Sequence, residues 1–386
     1  MKMNDEIRYP LMNIGIIGGG QLARMMITGT KLMGFDFTIL EATDEAPASS
    51  LADHQIVGSL YDEAALIDLV NRCDVTTYDI EHTDTAVLKS LEKAGHNIYP
   101  SPQLLEIIQD KLVQKQTLQS HHIPVPKFEK IDKPTPENAQ KFGLPLVQKA
   151  RRGGYDGRGV QRIDSEADFE KIMRVPSMFE EVVDIEKELA VLVARSHSGE
   201  VRTYPVVEMV FDEAANILDY LVSPARISDE IAQKSCDIAI AAIEALDGVG
   251  IFAVELFLNK AGNILLNEIA PRPHNSGHFT IEACVTSQFQ QHIRAICDLP
   301  LGSTEQHKPA VMINLLGDPG FSGAPLITGL RESLAIPGVF FHLYGKAETR
   351  PFRKMGHVTI IAETVEKALQ NAFRVKEILH IKSKGK

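Results

Sequence analysis

The chain reads as an α/β protein: an open parallel-sheet domain first, then a middle region that begins with a small α+β lobe, then a small C-terminal α+β domain. Three observations predict this. Strand and helix signals alternate from Asn13 to Tyr99, the pattern of a parallel sheet with helices on both faces. A strand bearing Lys149 then runs into a loop with four glycines in seven residues (153–159), flanked and interrupted by Arg151, Arg152 and Arg158. Finally, two apolar runs, Ile251–Leu258 and Ile264–Ile269, flank the short turn 259–263, the signal of a β-hairpin.

The elements follow in order. Asn13–Ile17 is a short apolar strand that enters Gly18-Gly19-Gly20 and a helix from Gln21 to about Met33. Gly18-x-Gly20-x-x-Ala23 fits a dinucleotide fingerprint, and the strand Phe35–Leu40 ends on Glu41, where a ribose-binding acid would lie. The same glycine turn also serves other anions, or packing alone. His54–Val57, Asp62–Asn71, Val75–Ile80, Thr85–Ala94 and Asn97–Tyr99 continue the alternation. Glu81 closes the strand that starts at Val75, at the end that faces the ligand crevice of such sheets; it either reaches a ligand or caps a helix.

Ser101-Pro102 opens a helix predicted to reach His121, with Lys111 inside it. Pro124, Pro126, Pro134 and Pro136 then punctuate the chain, and Pro300 with Gly302 marks a second break. The domains are therefore set at 1–110, 111–300, with the small lobe at about 125–210, and 301–386. Leu144–Ala150 carries Lys149, Ser177–Val183 carries Glu180 and Glu181, and Glu188 begins the long β run Leu189–Ala194. A mobile, cationic loop beside a strand lysine suits closure over phosphates. Ser228–Leu246 and Thr286–Cys297 read as helices. The C-terminal part has strands near Ala310–Leu315, Val339–Tyr344 and His357–Ile361, and ends on a helix, Val365–Ile378.

The hairpin concentrates the chemistry. Glu255 and Glu268 each sit inside an apolar run, and a symmetric register makes them face each other. Like charges directly opposite destabilise a strand pair, and a divalent cation such as Mg²⁺ would relieve them. Arg272, His274 and Asn275 follow at once, stiffened by Pro271 and Pro273. Lys346, Arg350, Arg353 and Lys354, four cations in nine residues, form a candidate phosphate socket.

Composition narrows the class. The net charge of −11 argues against nucleic acid as a partner. No apolar run reaches transmembrane length, and residues 1–10 lack the apolar core of a signal peptide. Cys73, Cys236, Cys284 and Cys297 form no C-x-x-C or zinc spacing, so free thiols in a reducing cytoplasm are expected.

Strand lysine, glycine-rich loop, Glu-Glu strand end and paired glutamates together resemble the ATP-grasp superfamily, over nearly the whole chain. The segments Gly18–Met25 (GGGQLARM), Gly153–Gly159 (GGYDGRG) and Asn267–His278 (NEIAPRPHNSGH) are similar to those of the N5-carboxyaminoimidazole ribonucleotide synthases, as is Tyr344-Gly345-Lys346. That resemblance implies an ATP-grasp fold behind an N-terminal pre-ATP-grasp domain. It implies ATP-dependent carboxylation of 5-aminoimidazole ribonucleotide (AIR) with bicarbonate in purine biosynthesis, by a cytoplasmic homodimer. ATP and Mg²⁺ are the implied cofactors, with no biotin and no NAD.

The resemblance also distributes roles. Lys111 and Lys149 contact ATP phosphates under the loop Gly154, Tyr155, Asp156, Gly157, Arg158, Gly159 and Val160. Glu180, Glu181, Val182 and Val183 form the adenine hinge, and Glu188 meets the ribose hydroxyls. Glu255 and Glu268 hold Mg²⁺ beside Asn267. Arg272 and His274 hold bicarbonate or carboxyphosphate. Tyr155, Asp156, Arg158, Lys346 and Arg353 bind AIR, with Glu81 at its base and Lys346 also in the catalytic group. Ala270 stands where many superfamily members carry Asn, so the ligands of a second metal do not follow from the resemblance. Two other enzymes stay open here: a formate-dependent glycinamide ribonucleotide transformylase, which shares a PRPH-like segment, and a nicotinamide oxidoreductase built on Gly18–Ala23.

Overall fold

The computed structural model describes residues 9–154, 159–212 and 217–384. Its first sheet is parallel, with strand Asn13–Ile17 between Asp36–Glu41 and Val75–Tyr78, and His54–Val57 at the edge. Side-chain alternation divides its core between two faces. Ile14 and Ile16 join Met26 and Phe37 on one face. Ile17 joins Leu40, Leu69, Leu88 and Leu105 on the other. The first face is shared with Phe289, Ile293 and Ile296, from helix Gln288–Ile296 of the middle region, so the two regions have one continuous core. Asn97–Tyr99, expected as a strand, contributes a single bridge from Ile98 to Thr76. Pro100 follows at once and has no N–H to extend a ladder.

The helix expected to run from Pro102 to His121 is two helices, Pro102–Gln109 and Lys111–Ser120. Asp110 breaks it. Its backbone is extended (φ −115°, ψ 103°), and its carboxylate accepts from the N–H groups of Leu112 and Val113, capping the second helix. Lys111 thereby becomes the first residue of a helix instead of a mid-helix surface charge.

The small lobe is an antiparallel sheet in the order Phe128–Ile131, Ser177–Glu181, Leu146–Ala150, Val160–Ile163. It ends earlier than the expected 210. Strand Ile185–Arg195 pairs along its length with Gly250–Asn259 in the large sheet. Leu189, Val191 and Val193 fill the core on one side of it, and Ala190, Leu192 and Ala194 the core on the other. A strand buried on both faces belongs in the middle of a sheet. That nine-stranded sheet runs Ile264–Ala270, Gly250–Asn259, Ile185–Arg195, Val207–Asp212, Ile217–Ser223, Ala310–Leu316, Lys354–Ile361, Val339–Leu343, with Val201–Thr203 beside Ile185–Arg195. It continues without interruption across residue 300. After helix Val365–Ile378 a further strand, His380–Ser383, pairs with Pro325–Thr328; its four residues hold one isoleucine and carry no readable period.

Candidate active site

The two hairpin glutamates are register partners, but symmetry about the turn does not make them so. Leu258, Phe257 and Leu256 pair with Ile264, Leu265 and Leu266, and an unbroken ladder would next bring Asn267 opposite Glu255. A one-residue bulge at Asn267 shifts the register and brings Glu268 there instead. Asn267 is left to serve a separate partner, and its Oδ1 accepts from the Lys149 ammonium at 2.8 Å. Glu255 lies on the strand face away from Phe252, Val254 and Leu256, which fill the core beneath. Burial, and then the charge of Glu268, push its carboxyl well above the usual range. Glu268 moves the other way, because the Lys111 ammonium pairs with it and holds it ionised.

Each phosphate-seeking lysine of the sequence analysis has an internal partner. Lys111 donates to Glu268. Lys149 meets Glu180 at 2.6 Å. Lys115, which sequence reasoning missed, lies on the same side of its helix as Lys111 and is almost fully buried. Its ammonium donates to the Leu266 carbonyl at 3.0 Å and faces the other oxygen of Glu180 at 3.1 Å. Burial pulls Lys115 down to about 8 even though Glu180 opposes the shift. Glu180 would be raised by burial, but Lys149 and Lys115 outweigh that and keep it ionised. Glu188 is half-buried, and desolvation lifts it to about 7. Glu181 turns to the surface and accepts from the Lys127 N–H at 2.9 Å; Val182 and Val183 are half-buried just beyond the strand.

The root of the glycine-rich loop is tied to this cluster. Val160 pairs with Lys149 across adjacent strands, and the Ala150 N–H donates to the Gly159 carbonyl at 2.8 Å, with Gly154 against the same neck. Arg151 forks onto Asp110 at 3.1 and 2.7 Å, and its carbonyl accepts from the Lys111 N–H at 2.9 Å. Tyr155, Asp156, Gly157 and Arg158 lie outside the described residues.

Past the hairpin, Arg272 reaches across to the first domain. Its Nε and Nη2 donate to the two oxygens of Glu81 at 2.5 and 3.0 Å. Burial works against ionisation of Glu81, yet the guanidinium holds it down to about 2. His274 takes a proton-accepting role at Nδ1, which receives the Ser276 N–H at 3.3 Å and lies 2.9 Å from the Ser276 hydroxyl. Its Nε2 lies 3.8 Å from Glu255. Burial, then Arg272 and Lys354, lower the imidazole to about 4, so it is neutral at pH 7.

The C-terminal cluster divides. Lys346 donates to the Lys354 carbonyl at 2.7 Å and lies over the Tyr344 ring. The charge of Lys354 acts on Glu255 and His274, which makes it a site residue that the sequence analysis noted only as part of a basic run. Arg353 donates to the Glu348 carbonyl at 2.6 Å, within its own loop.

The glycine turn of the first domain is filled from within. Gly19 N–H donates to Glu41 at 2.9 Å, and Asp79 accepts from Gly20 at 2.9 Å and Ala23 at 2.7 Å. A Cβ at Gly20 would stand 2.3 Å from Asp79 Oδ2, so glycine is what lets the carboxylate in. The donors that a pyrophosphate would take are occupied by two protein carboxylates. Glu41 is thus a partner of the turn, not a free ribose acid.

Among the described residues no three His, Cys, Asp or Glu side chains are grouped to hold a metal ion. The facing pair Glu255 and Glu268, the first raised by burial and then by the charge of the second, still fits a hard divalent cation whose remaining ligands come from elsewhere, such as phosphate oxygens.

Three family models match the chain in sequence: a ribonucleotide synthetase preATP-grasp domain over residues 11–109, an ATP-grasp domain over 116–289, and a phosphoribosylaminoimidazole carboxylase C-terminal domain over 310–371. The chain is 40% identical over 367 residues to the chloroplastic phosphoribosylaminoimidazole carboxylase of Vigna aconitifolia, and that match takes in 93% of this chain but 65% of the longer plant protein. It is 38% identical over 379 residues to the N5-carboxyaminoimidazole ribonucleotide synthase of Synechococcus elongatus, covering 95% of each. The crystal structure of N5-carboxyaminoimidazole ribonucleotide synthetase from Thermotoga maritima is 52% identical and superposes with a TM-score of 0.91, covering 97% of this chain and all of that one. With three domain models matching in order and relatives of 38% and 52% identity covering nearly the whole chain, the chain belongs to the N5-carboxyaminoimidazole ribonucleotide synthase family.

Proposed function

We propose that the chain joins bicarbonate to the exocyclic amine of AIR at the cost of one ATP, forming N5-carboxyaminoimidazole ribonucleotide in purine biosynthesis. The observation that carries this reading is the Arg272–Glu81 fork, which puts a group of the lysine-and-glutamate cluster in direct contact with the first domain. A phosphoryl-transfer site and an acceptor site therefore share one wall. A bicarbonate oxygen attacks the γ-phosphorus, the bond to the β-phosphate oxygen breaks, and ADP leaves carboxyphosphate behind. The amine nitrogen of AIR then bonds to the carboxyl carbon, phosphate departs with the C–O electron pair, and the nitrogen gives up a proton.

The roles follow from the charges. Lys111 and Lys149 exchange Glu268 and Glu180 for phosphate oxygens. Glu180 to Val183 border adenine, and Glu188 takes the ribose. Arg272 binds the carboxyphosphate, and neutral His274 offers a hydrogen bond there without adding charge. Glu255 and Glu268, with Asn267 beside them, would hold Mg²⁺, which when bound supplies neutralisation of charge on the transferring phosphoryl group. Lys346, Arg353, Tyr155, Asp156 and Arg158 bind AIR. The free thiols suit a cytoplasmic enzyme, and a homodimer is the expected assembly.

The test is ADP release with and without AIR, in bicarbonate-replete and bicarbonate-depleted buffer. Stimulation that needs both supports the reading. Stimulation by formate and glycinamide ribonucleotide in their place refutes it.

A further inference from the structure

In the strap that carries it, the backbone of His274 is held on both its N–H and its carbonyl by Gln288, a side chain outside the cluster. We propose that Gln288 is a positioning residue for the carboxyphosphate step, its buried amide fixing the backbone of His274; this rests on the role of His274 proposed above. Gln288 is the first residue of helix Gln288–Ile296 and is fully buried. Its Oε1 accepts the His274 N–H at 2.9 Å, and its Nε2 donates to the His274 carbonyl at 2.8 Å and to His278 Nδ1 at 2.9 Å. Its own N–H donates to the Thr280 hydroxyl at 2.9 Å, and that hydroxyl donates to the Gly277 carbonyl at 2.6 Å.

Only a primary amide satisfies this pattern. One acceptor and two donors are needed at the end of a three-bond side chain; glutamate offers acceptors alone and methionine neither. The fit is close as well. A Cβ on Gly277 would stand 2.4 Å from Gln288 Oε1 and 2.5 Å from Leu192 Cδ1, so the strap lies directly on the amide.

The helix beneath is fastened to the first domain. His292 Nε2 meets Thr77 Oγ1 at 2.8 Å, and Gln290 donates to the Gly29 carbonyl at 3.0 Å. Gln288 therefore references His274 to the same domain that supplies Glu81. A misplacement on the order of 1 Å costs about a hundredfold in rate when it affects a reacting group.

The experiment compares Gln288→Glu and Gln288→Met with the parent enzyme. It reads kcat, KM for ATP and AIR, ATP affinity by calorimetry, and ADP formed per carboxylated product. Turnover should fall about ten- to a hundredfold, with KM for ATP unchanged within about twofold. ADP should exceed product, because carboxyphosphate made beside a displaced imidazole is lost to water. Retained turnover with equal ADP and product overturns the inference. So does a fall in turnover matched by an equal loss of ATP affinity, which marks a loosened fold. His274→Asn is measured alongside. Full activity in that variant sinks the assignment of His274 itself, whereas its collapse beside normal Gln288 variants sinks only the positioning role.

Discussion

Glu81→Gln keeps the shape of the side chain and removes its charge, so it isolates the link between the domains. In the parent both carboxylate oxygens meet Arg272. The drop from an ordinary 4.5 to about 2 corresponds to about 3 kcal/mol. Water still reaches both side chains, at 18% and 22% exposure, so screening brings the expected loss to about 2 kcal/mol. The carboxylate is stabilised in its ionised form by folding. Its contribution is therefore complete above the unfolded value near 4.5 and is lost as pH falls toward 2. Urea unfolding of parent and variant should differ by about 2 kcal/mol at neutral pH, and the gap should narrow on acidification from pH 5 to pH 3. Arg272, no longer held by a carboxylate, should also lose alignment, lowering kcat at saturating ATP and AIR. Equal stability at pH 7 would refute the electrostatic reasoning. A gap that widens on acidification would reverse its sign.

Three further outcomes are expected. Glu268→Gln should fold but lose ATP turnover by about a hundredfold or more, because Lys111 and the proposed metal both lose an anionic partner; steady-state kinetics across a Mg²⁺ titration reads this, and near-normal turnover at ordinary Mg²⁺ counts against the pair. Arg353→Ala should raise KM for AIR about ten- to a hundredfold, the loss of one charge-assisted contact, with KM for ATP little changed; an unaltered AIR constant would leave Arg353 a loop residue whose guanidinium serves the Glu348 carbonyl. His292, buried and held down to about 3, stays neutral while the unfolded chain takes up a proton below about 6.5, so it should cost about 2 kcal/mol of stability between pH 7 and pH 5; His292→Gln should flatten the denaturation midpoint over that range relative to the parent.

The local signals were legible where one residue type has one meaning. Apolar runs bounded by turn residues mark the strands, and symmetry about the turn predicts the Glu255 and Glu268 pairing, although the symmetry alone does not produce it. The bulge that completes the pairing was not legible, since Asn267 looks like any strand residue until its carbonyl oxygen is needed by Lys149, 118 positions earlier. Asp110 was hidden for a similar reason. An aspartate inside a helical pattern is tolerated, and only the Arg151 fork, which joins two lobes, rewards breaking the helix there. The end of the small lobe is not legible, because a strand buried on both faces, Ile185–Arg195, has no alternation to show which sheet it joins. Gln288 gave no signal at all, as its three partners lie in a strap whose path is set by tertiary packing.

The cations of the lysine-and-glutamate cluster and its two arginines follow one rule: each faces a carboxylate. Lys111 has Glu268, Lys149 and Lys115 share Glu180, Arg272 has Glu81, and Arg151 has Asp110. An unpaired buried ammonium or guanidinium would be costly to fold around, so these pairs let the cluster be buried. They also set the terms of binding. A phosphate offered to Lys111 must replace Glu268, and the replacement takes away the ammonium that does most to hold Glu268 ionised opposite Glu255. On the roles proposed above, phosphate alone would therefore be a poor ligand, and so would a metal alone, which would strand Lys111 beside it. Arriving together they would allow an exchange of partners, with Lys111 turning to the phosphate while Glu255 and Glu268 hold the metal. On the same proposed roles, selectivity for a metal-bound triphosphate over free anions would reside in the Lys111–Glu268 pair as much as in any direct contact.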